Sequence, residues 1–332
     1  MVGPVAIDGR VLLAPMSGIT DQPFRALARA LGAPAVVCEM IASRELTLGR
    51  AETLRRAVCH SNGDGRDPLI IQLAGREPEM MAEGARIAAD LGADIIDINM
   101  GCPAKKVTGG LSGAALMREP ERALSLIEAV VGAVGLPVSV KMRLGWCDAS
   151  RNAPDLARRA EAAGAAMITV HGRTRCQFYA GRADWHAIAE VKRALSVPVV
   201  ANGDVNTIED AAEIVRITGA DAVMIGRGAR GRPWFPAQVA RYLSTAAPPV
   251  DPDPGAEFEI VREHYEAMLV HYGSELGVRC ARKHLAWAID RHAGRIAAVQ
   301  PWRGAICTET EPLRVIGHLG RFYDHLGERA AA

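Results

Sequence analysis

The sequence predicts an α/β fold, a (β/α)8 TIM barrel, followed by a smaller all-helical C-terminal region. The main observation is that two kinds of signal alternate before apolar runs. A Gly-Ala pair precedes four of the runs, at Gly32-Ala33, Gly92-Ala93, Gly164-Ala165 and Gly219-Ala220. A proline precedes three others, Pro68, Pro137 and Pro198. After residue 243 this alternation stops and no run typical of a strand follows.

Eight apolar runs between residues 11 and 226 predict the strands. In chain order they are VLLAP, AVVCEM, LIIQLA, DIIDINM, VSVKMR, AMITVH, VVANGD and DAVMIG. Amphipathic stretches such as EPEMMAEGARIAADLG separate them, and each Gly of a Gly-Ala pair suits the left-handed position that ends a helix. An eightfold alternation over roughly 200–250 residues is typical of the barrel. A doubly wound sheet would need a break in this order at its switch point, and the order shows none.

The chain divides into three predicted parts. Residues 1–243 form the barrel, and residues 244–255 form a linker that contains four prolines, Pro248, Pro249, Pro252 and Pro254. Residues 256–332 read as several helices, for example EFEIVREHYEAMLVHYG and GVRCARKHLAWAIDRH.

Composition excludes several classes of protein. The 39 Lys and Arg residues nearly balance the 38 Asp and Glu residues, and 49% of the chain is hydrophobic. A tail-driven nucleic-acid binder would be strongly basic, and a disordered scaffold would be poor in apolar residues. No run reaches the ~18 apolar residues of a membrane helix, and no Cys-x-x-Cys pair occurs among the seven cysteines. We therefore expect a cytoplasmic monomer with no membrane contact and no bound metal.

Polar residues follow the predicted strands, where the active site of a barrel lies. The loops Asn202-Gly203-Asp204 and Gly226-Arg227-Gly228 follow the seventh and eighth strands, which is the usual phosphate site of barrels. A phosphorylated cofactor is therefore expected. The spacing of Gly226, Gly228 and Gly231 also matches a dinucleotide fingerprint, but that match follows the last strand instead of opening a βαβ unit.

Two further residues at the strand ends suggest chemistry. Lys141 could stabilise negative charge on a reduced flavin or form a Schiff base, and Gln72, Asn99 and His171 favour the flavin role. Cys102 lies in the loop INMGCPAKKVTGG, where a protonated thiol could act as a general acid. The neighbouring lysines of that loop could instead lower its pKa and make it a nucleophile.

Seven motifs together resemble the flavin-dependent tRNA-dihydrouridine synthases, most closely the bacterial B-type (DusB) subgroup. They are APMSGITDQPFR, QLAGREP, DINMGCPAKKV, VKMR, TVHGRTR, VVANGDV and MIGRGARGRPW. The resemblance extends over essentially the whole chain, including RKHLAW in the helical region, and DINMGCPAKKV is its most specific part.

The resemblance implies an oxidoreductase that reduces the C5–C6 double bond of particular tRNA uridines. NADPH reduces a bound FMN, hydride passes to C6, and Cys102 protonates C5. The implied FMN contacts are Pro15, Met16, Ser17, Gln72, Lys141, His171, Asn202, Gly203, Asp204, Gly226 and Arg227. Asn99 and Arg143 match positions that hold the uracil, which must leave the tRNA stack to reach a barrel mouth.

The helical region contains one clearly basic stretch, residues 279–303. Its basic residues are Arg279, Arg282, Lys283, Arg291, Arg295 and Arg303, and its acidic residue is Asp290. The spacing places Arg279, Lys283 and Arg291, with His284 nearby, on one helical face. We expect phosphate contact here, with Arg279, Arg282 and Lys283 as the tRNA-binding candidates.

Two other functions fit parts of the sequence. A flavin reductase of a free pyrimidine or another small enone would use the same barrel chemistry, but the basic stretch argues against it. An RNA-binding regulator without catalysis would not need Cys102, Lys141 and Arg143.

Overall fold

A computed structural model of the protein describes residues 1–57, 68–294, 296 and 298–331. Within these residues there are nine strands. They are β1 (Val11–Leu13), β2 (Ala35–Val36), β3 (Ile41–Ala42), β4 (Ile70–Ala74), β5 (Ile95–Met100), β6 (Val138–Arg143), β7 (Ala165–His171), β8 (Val199–Asn202) and β9 (Ala222–Ile225). The strands pair in parallel in the order β2-β1-β9-β8-β7-β6-β5-β4-β3.

Fourteen α-helices lie between and after the strands in the described part of the chain. They are α1 (Gln22–Ala30), α2 (Ser43–Thr47), α3 (Ala51–Ala57), α4 (Pro78–Asp90), α5 (Lys105–Thr108), α6 (Pro120–Ala133), α7 (Ala153–Ala162), α8 (Trp185–Arg193), α9 (Ile208–Thr218), α10 (Phe235–Thr245), α11 (Pro254–Tyr272), α12 (Ser274–Asp290), α13 (Gln300–Thr308) and α14 (Pro312–Ala331). None of the described helices is both long and apolar enough to cross a membrane.

The sheet closes on itself, which confirms the predicted barrel. The first and last strands pair, with Leu12 opposite Met224. On the other side, Val37 bridges Ile70 just beyond the end of β2. The predicted run AVVCEM is shorter as a strand than expected, because the chain leaves the ladder after Val37 and pairs again as β3 at the end of β4. The bend brings the carboxylate of Glu39 to the loop after β1, where it accepts the N–H of Gly18 at 2.5 Å.

The four glycines of the Gly-Ala pairs all have positive φ, between 63° and 101°, as a left-handed helix end requires. Strand residues then alternate between two apolar layers because successive side chains point to opposite faces. Leu12, Ile70 and Ile95 pack inside the barrel, whereas Ile71 and Ile96 pack outward against the helices. The same alternation directs the polar residues near the ends of the strands into the barrel.

Helices α11 to α14 surround a second apolar cluster, which includes Tyr265, Met268, Leu285 and Phe322. Helix α11 begins at Pro254, with Asp253 capping the N–H of Ala256, because proline is well suited to the first turn of a helix. Contacts join this cluster to the barrel. The Tyr272 hydroxyl donates to Asp21 at 2.9 Å, and Asp21 also caps α1.

Candidate active site

A cavity of about 500 Å³ opens at the carboxyl ends of the strands. All of the cofactor residues predicted from the sequence line it, and so do the three residues predicted to act on the substrate base. These residues are Pro15, Met16, Ser17, Gln72, Lys141, His171, Asn202, Gly203, Asp204, Gly226 and Arg227, together with Asn99, Cys102 and Arg143. Residues far apart in the sequence therefore share one site, because parallel strands bring their carboxyl ends to the same edge.

The loop that carries Cys102 is held at its base by Asn99. The Oδ1 atom of Asn99 accepts the N–H of Cys102 at 2.9 Å and that of Gly101 at 3.2 Å. The Cys102 carbonyl accepts the N–H of Ala114, at the start of a 3₁₀ turn that spans Gly113–Arg118. Cys102 is partly exposed to the cavity, so its thiol is accessible while its backbone is fixed.

Asn99 is itself oriented by a buried amide. Its Nδ2 donates to Oε1 of Gln72 at 2.7 Å, and Nε2 of Gln72 donates to Asp97 at 2.6 Å. Ser139 donates to the other oxygen of Asp97 at 2.6 Å. Burial raises the pKa of Asp97 to about 6, although both of these hydrogen bonds and the charge of Lys141 favour the carboxylate.

Lys141 is the cation at the centre of the cavity wall. Its Nζ donates to Oδ1 of Asn202 at 3.1 Å, and Asn202 donates in turn to the carbonyl of Met224 at 2.8 Å. Burial and the positive charge of Arg143 lower the pKa of Lys141 to about 8, against the opposing effect of Asp97. The ammonium therefore predominates at neutral pH, and no carboxylate of the described residues contacts it directly.

Arg143 is buried and bound to three carbonyl oxygens. Its Nε donates to Gly101 at 2.7 Å, and its Nη1 donates to Thr174 and Phe178, both at 2.9 Å. Among the described residues, Nη2 has no hydrogen-bond partner. Both N–H groups of Nη2 are thus unused within the described residues, while Nε and Nη1 tie the Cys102 loop to the loop after β7.

His171 is neutral in this setting. Burial, together with the positive charges of Arg143 and Lys141, lowers its pKa well below the usual value of 6.5. Its Nδ1 atom is buried and has no hydrogen-bond partner in the described part of the chain. The imidazole lines the cavity, so it is available to a bound group.

The loops after β8 and β9 form an anion cradle, which we define as Gly203, Asp204, Gly226 and Arg227. Within the described residues, no hydrogen bond is formed by the backbone N–H groups of Gly203, Asp204 or Gly226. Gly203 has φ +126°, and a side chain there would lie 2.8 Å from Ala183. Arg227 reaches Asp204 at 3.2 Å and stays 37% exposed. Free N–H groups and a guanidinium suit a phosphate.

Comparison with known proteins agrees with this geometry. The family model described as dihydrouridine synthase (Dus) matches residues 12–312 of the chain. This chain belongs to the dihydrouridine synthase family.

Relatives in the family are similar over nearly their full length. The probable tRNA-dihydrouridine synthase of Rhizobium leguminosarum bv. phaseoli is 55% identical, covering 95% of each chain. The tRNA-dihydrouridine synthase B of Xanthomonas axonopodis pv. citri is 48% identical, covering 88% of this chain and 87% of its own.

Solved structures with a similar fold are more distant. Histamine dehydrogenase from Rhizobium sp. 4-9 has a TM-score of 0.58 at 12% identity, over 99% of this chain and 63% of that one. A 2-naphthoyl-CoA reductase has a TM-score of 0.57 at 13% identity, over 72% of this chain and 51% of that one. This family member thus spans about half to two thirds of those longer chains, and the likeness shows the fold alone.

The loop after β7 supplies lining residues that the sequence reasoning missed. Phe178 and Tyr179 both border the cavity, and Tyr179 is 54% exposed between the guanidinium groups of Arg143 and Arg227. Phe178 has φ +50°, a left-handed conformation that is rare for an aromatic residue. An aromatic pair a few residues beyond a strand end was the available signal, in the sequence HGRTRCQFYAG.

The predicted basic face of this family member is smaller than its sequence suggested. Arg279 is exposed and Lys283 is half-buried, as is Arg282. The expectation that Arg291 and His284 belong to this face is wrong. Arg291 is paired with Glu257 and Asp251, and His284 is 4% exposed. Arg295 lies outside the described residues.

Lys283 approaches the loop after β1, of which Ser17 and Ile19 line the cavity. Its Nζ lies 3.9 Å from the position that a Cβ atom would occupy at Gly18, in the loop after β1. The Arg282 backbone carbonyl accepts from Cys307, and its Nε is buried without a partner among the described residues.

Proposed function

We propose that this protein reduces the C5–C6 double bond of specific uridines in tRNA to 5,6-dihydrouridine, with FMN as its flavin and NADPH as reductant. One observation carries the proposal. The thiol-bearing residue Cys102, the Lys141 ammonium and the anion cradle line the same cavity. These are the groups needed to donate a proton, to stabilise a negative charge and to hold a phosphorylated cofactor.

The residues present fit an FMN group. The cavity has a volume typical of ligand sites. The anion cradle would hold the phosphate, and Lys141 with the His171 imidazole would face the polar edge of the ring. Pro15, Met16 and Ser17 line the same cavity, and Gln72 supports the wall from within the barrel.

When bound, the flavin supplies the hydride that adds at C6 of the base. The chain supplies the remaining steps. Cys102 donates its Sγ proton to C5, and Lys141, charged below its pKa of about 8, stabilises the negative charge beside it. The free Nη2 of Arg143 and the second Nδ2 hydrogen of Asn99 can donate to uracil carbonyl oxygens.

The helical region has a role in this proposal as well. The barrel of residues 1–243 performs the reaction, residues 244–255 link the two parts, and residues 256–332 hold the tRNA backbone. The Lys283 ammonium beside Gly18 supports this arrangement because it places a cation between α12 and the cavity rim. We propose that the enzyme works in the cytoplasm as a monomer.

Replacing Cys102 tests the reaction directly. We expect Cys102→Ala to lower the turnover of uridine in tRNA by at least about 100-fold, because general acid catalysis contributes roughly 10²–10⁴-fold. Flavin content by absorbance and tRNA affinity should stay at wild-type values. Cys147→Ala, a half-buried cysteine elsewhere in the chain, is the matched control. Normal dihydrouridine formation by Cys102→Ala in a site-resolved assay would remove the thiol from this role.

Replacing Lys283 tests the RNA surface. Lys283→Ala should weaken tRNA binding several-fold and reduce the slope of log affinity against log salt by roughly 0.7–0.9, the value of one phosphate contact. Arg216→Ala, on the outer helix α9, is the control and should change neither quantity. An unchanged affinity across salt concentrations would contradict the assignment of Lys283. Flavin absorbance should be the same in all three proteins.

A further inference from the structure

A line of buried polar side chains leads from the barrel interior to the backbone of Cys102. We call it the Asp97 chain and define it as Ser139, Asp97, Gln72 and Asn99. The successive hydrogen bonds measure 2.6, 2.6 and 2.7 Å, and the last one, to the N–H of Cys102, measures 2.9 Å. Each member is at most 8% exposed.

We propose that Asp97 is a positioning residue for catalysis, whose carboxylate sets the orientation of both amides and thereby holds the Cys102 loop. The expected effect of Asp97 on turnover rests on the proposed function. Asp97 lies inside the barrel, between Gln72 and Ser139 in the strand register.

The orientation follows from the chemistry of the groups. A carboxylate can only accept, so Gln72 must turn its Nε2 toward Asp97 and its Oε1 toward Asn99. Asn99 must then offer Nδ2 to Gln72, which leaves Oδ1 facing the N–H groups of Gly101 and Cys102. If both amides were reversed, a donor would face those two donors. The charge of Asp97 thus determines which atom Asn99 presents to the N–H groups of Gly101 and Cys102.

Packing alone does not explain why a carboxylate lies at position 97. A neutral side chain of the same shape would fill the same space, yet it could offer either a donor or an acceptor to Gln72. Burying a carboxylate is costly, and here burial raises its pKa to about 6. Such a group is expected where its charge has a role that a neutral residue cannot perform.

The test compares Asp97→Asn with Thr169→Val in the purified protein. Asparagine keeps the shape of Asp97 but not its acceptor-only character, whereas Thr169→Val removes a buried hydroxyl of β7 that has no hydrogen-bond partner among the described residues. Hydrogen exchange of residues 99–104 measures how firmly the Cys102 loop is fixed. The values of kcat and KM for tRNA measure the effect of each substitution on turnover.

We expect Asp97→Asn to lower the exchange protection of residues 99–104 about tenfold and kcat roughly 10- to 100-fold, with a much smaller change in KM. Thr169→Val should keep both within about twofold. Wild-type protection and kcat in Asp97→Asn would overturn the proposal, and so would equal losses of protection in both variants. Hydrogen exchange is read without any substrate, so it still decides the inference if the protein reduces no uridine.

A pH series on the wild type covers the case in which Asp97→Asn does not fold. Between pH 7 and 5 the carboxyl passes its pKa of about 6, so protection of residues 99–104, corrected for intrinsic exchange, should fall. The groups facing Asp97 do not change charge in this range, because the pKa of Lys141 is about 8 and that of the Cys38 thiol about 12. Constant protection over this range would contradict the proposal.

Discussion

At the scale of single residues, burial lowers the pKa of Lys141 to about 8. Its Nζ is bound to an amide oxygen of Asn202 and not to a carboxylate, and Arg143 adds positive charge beside it. A paired lysine would have its field cancelled by the partner, whereas this one keeps its charge available to the cavity. The pKa of about 8 means that the charge persists at neutral pH but is lost at moderately alkaline pH.

The pH dependence of turnover follows from this value. The ammonium is present below the pKa and is lost as the pH rises through about 8, so kcat should fall on the alkaline side. In Lys141→Gln, kcat should be roughly 10- to 100-fold lower at pH 7 and should lose the alkaline fall assigned to this group. Single-turnover rates from pH 6.5 to 9.5 provide the measurement. An identical alkaline fall in both proteins would assign it to another group.

At the scale of elements, the conformation of the short segment after β5 depends on one glycine, Gly113. Gly113 opens the 3₁₀ turn with φ +59°, and a Cβ there would lie 2.9 Å from the carbonyl of Cys102 and 3.2 Å from its Cβ. The close approach allows the Cys102 carbonyl to accept the N–H of Ala114. Cys102 is therefore held from Asn99 on one side and from the 3₁₀ turn on the other.

Gly113→Ala should damage this element. The left-handed φ alone costs about 1–2 kcal/mol, and the new methyl group would displace Cys102. We expect a loss of stability of that order and a fall in turnover of at least about tenfold. Gly110→Ala is the matched control, since a Cβ there meets its nearest atom, the Val107 carbonyl oxygen, at 3.4 Å. Urea unfolding and turnover of tRNA check both variants, and equal behaviour of the two would refute the argument.

At the scale of the whole molecule, a histidine pair lies where the helical region meets the barrel. His264 on α11 and His284 on α12 have ring centroids 4.7 Å apart, and both contact the Phe24 ring of α1, His264 edge-on and His284 at a tilt. Burial lowers the pKa of His264 to about 4 and that of His284 well below 6.5. Asp21 opposes this shift at His264, while Lys283 adds to it at both residues and Arg230 adds to it at His284.

Because of these two histidines, the free energy of unfolding should fall in acid. Both histidines are neutral in the folded protein, so below pH 6.5 the unfolded chain binds protons that the folded chain does not. We expect the two residues together to remove about 2 kcal/mol of unfolding free energy between pH 7 and 5.5. Urea unfolding at both pH values measures the loss. His284→Leu should show a loss smaller by about 1 kcal/mol, whereas the exposed His186→Gln should match the wild type.

The sequence by itself determined the barrel and most of the cavity wall. Glycine and proline signals, apolar runs and period-two alternation are local properties, and parallel strands necessarily bring residues such as Gln72, Lys141 and His171 to one edge. The family motifs added the expected role of Cys102, which stays a prediction until turnover is measured.

The tertiary structure decided what each polar group is bound to. Spacing along α12 could not show that Arg291 is neutralised by Glu257 and Asp251, because those partners lie 34 and 40 residues away in the chain. It could not show that His284 is buried against Phe24, or that Gln72 is hydrogen-bonded to both Asp97 and Asn99. Charge and hydrogen bonding depend on neighbours in space, and only the folded chain specifies those neighbours.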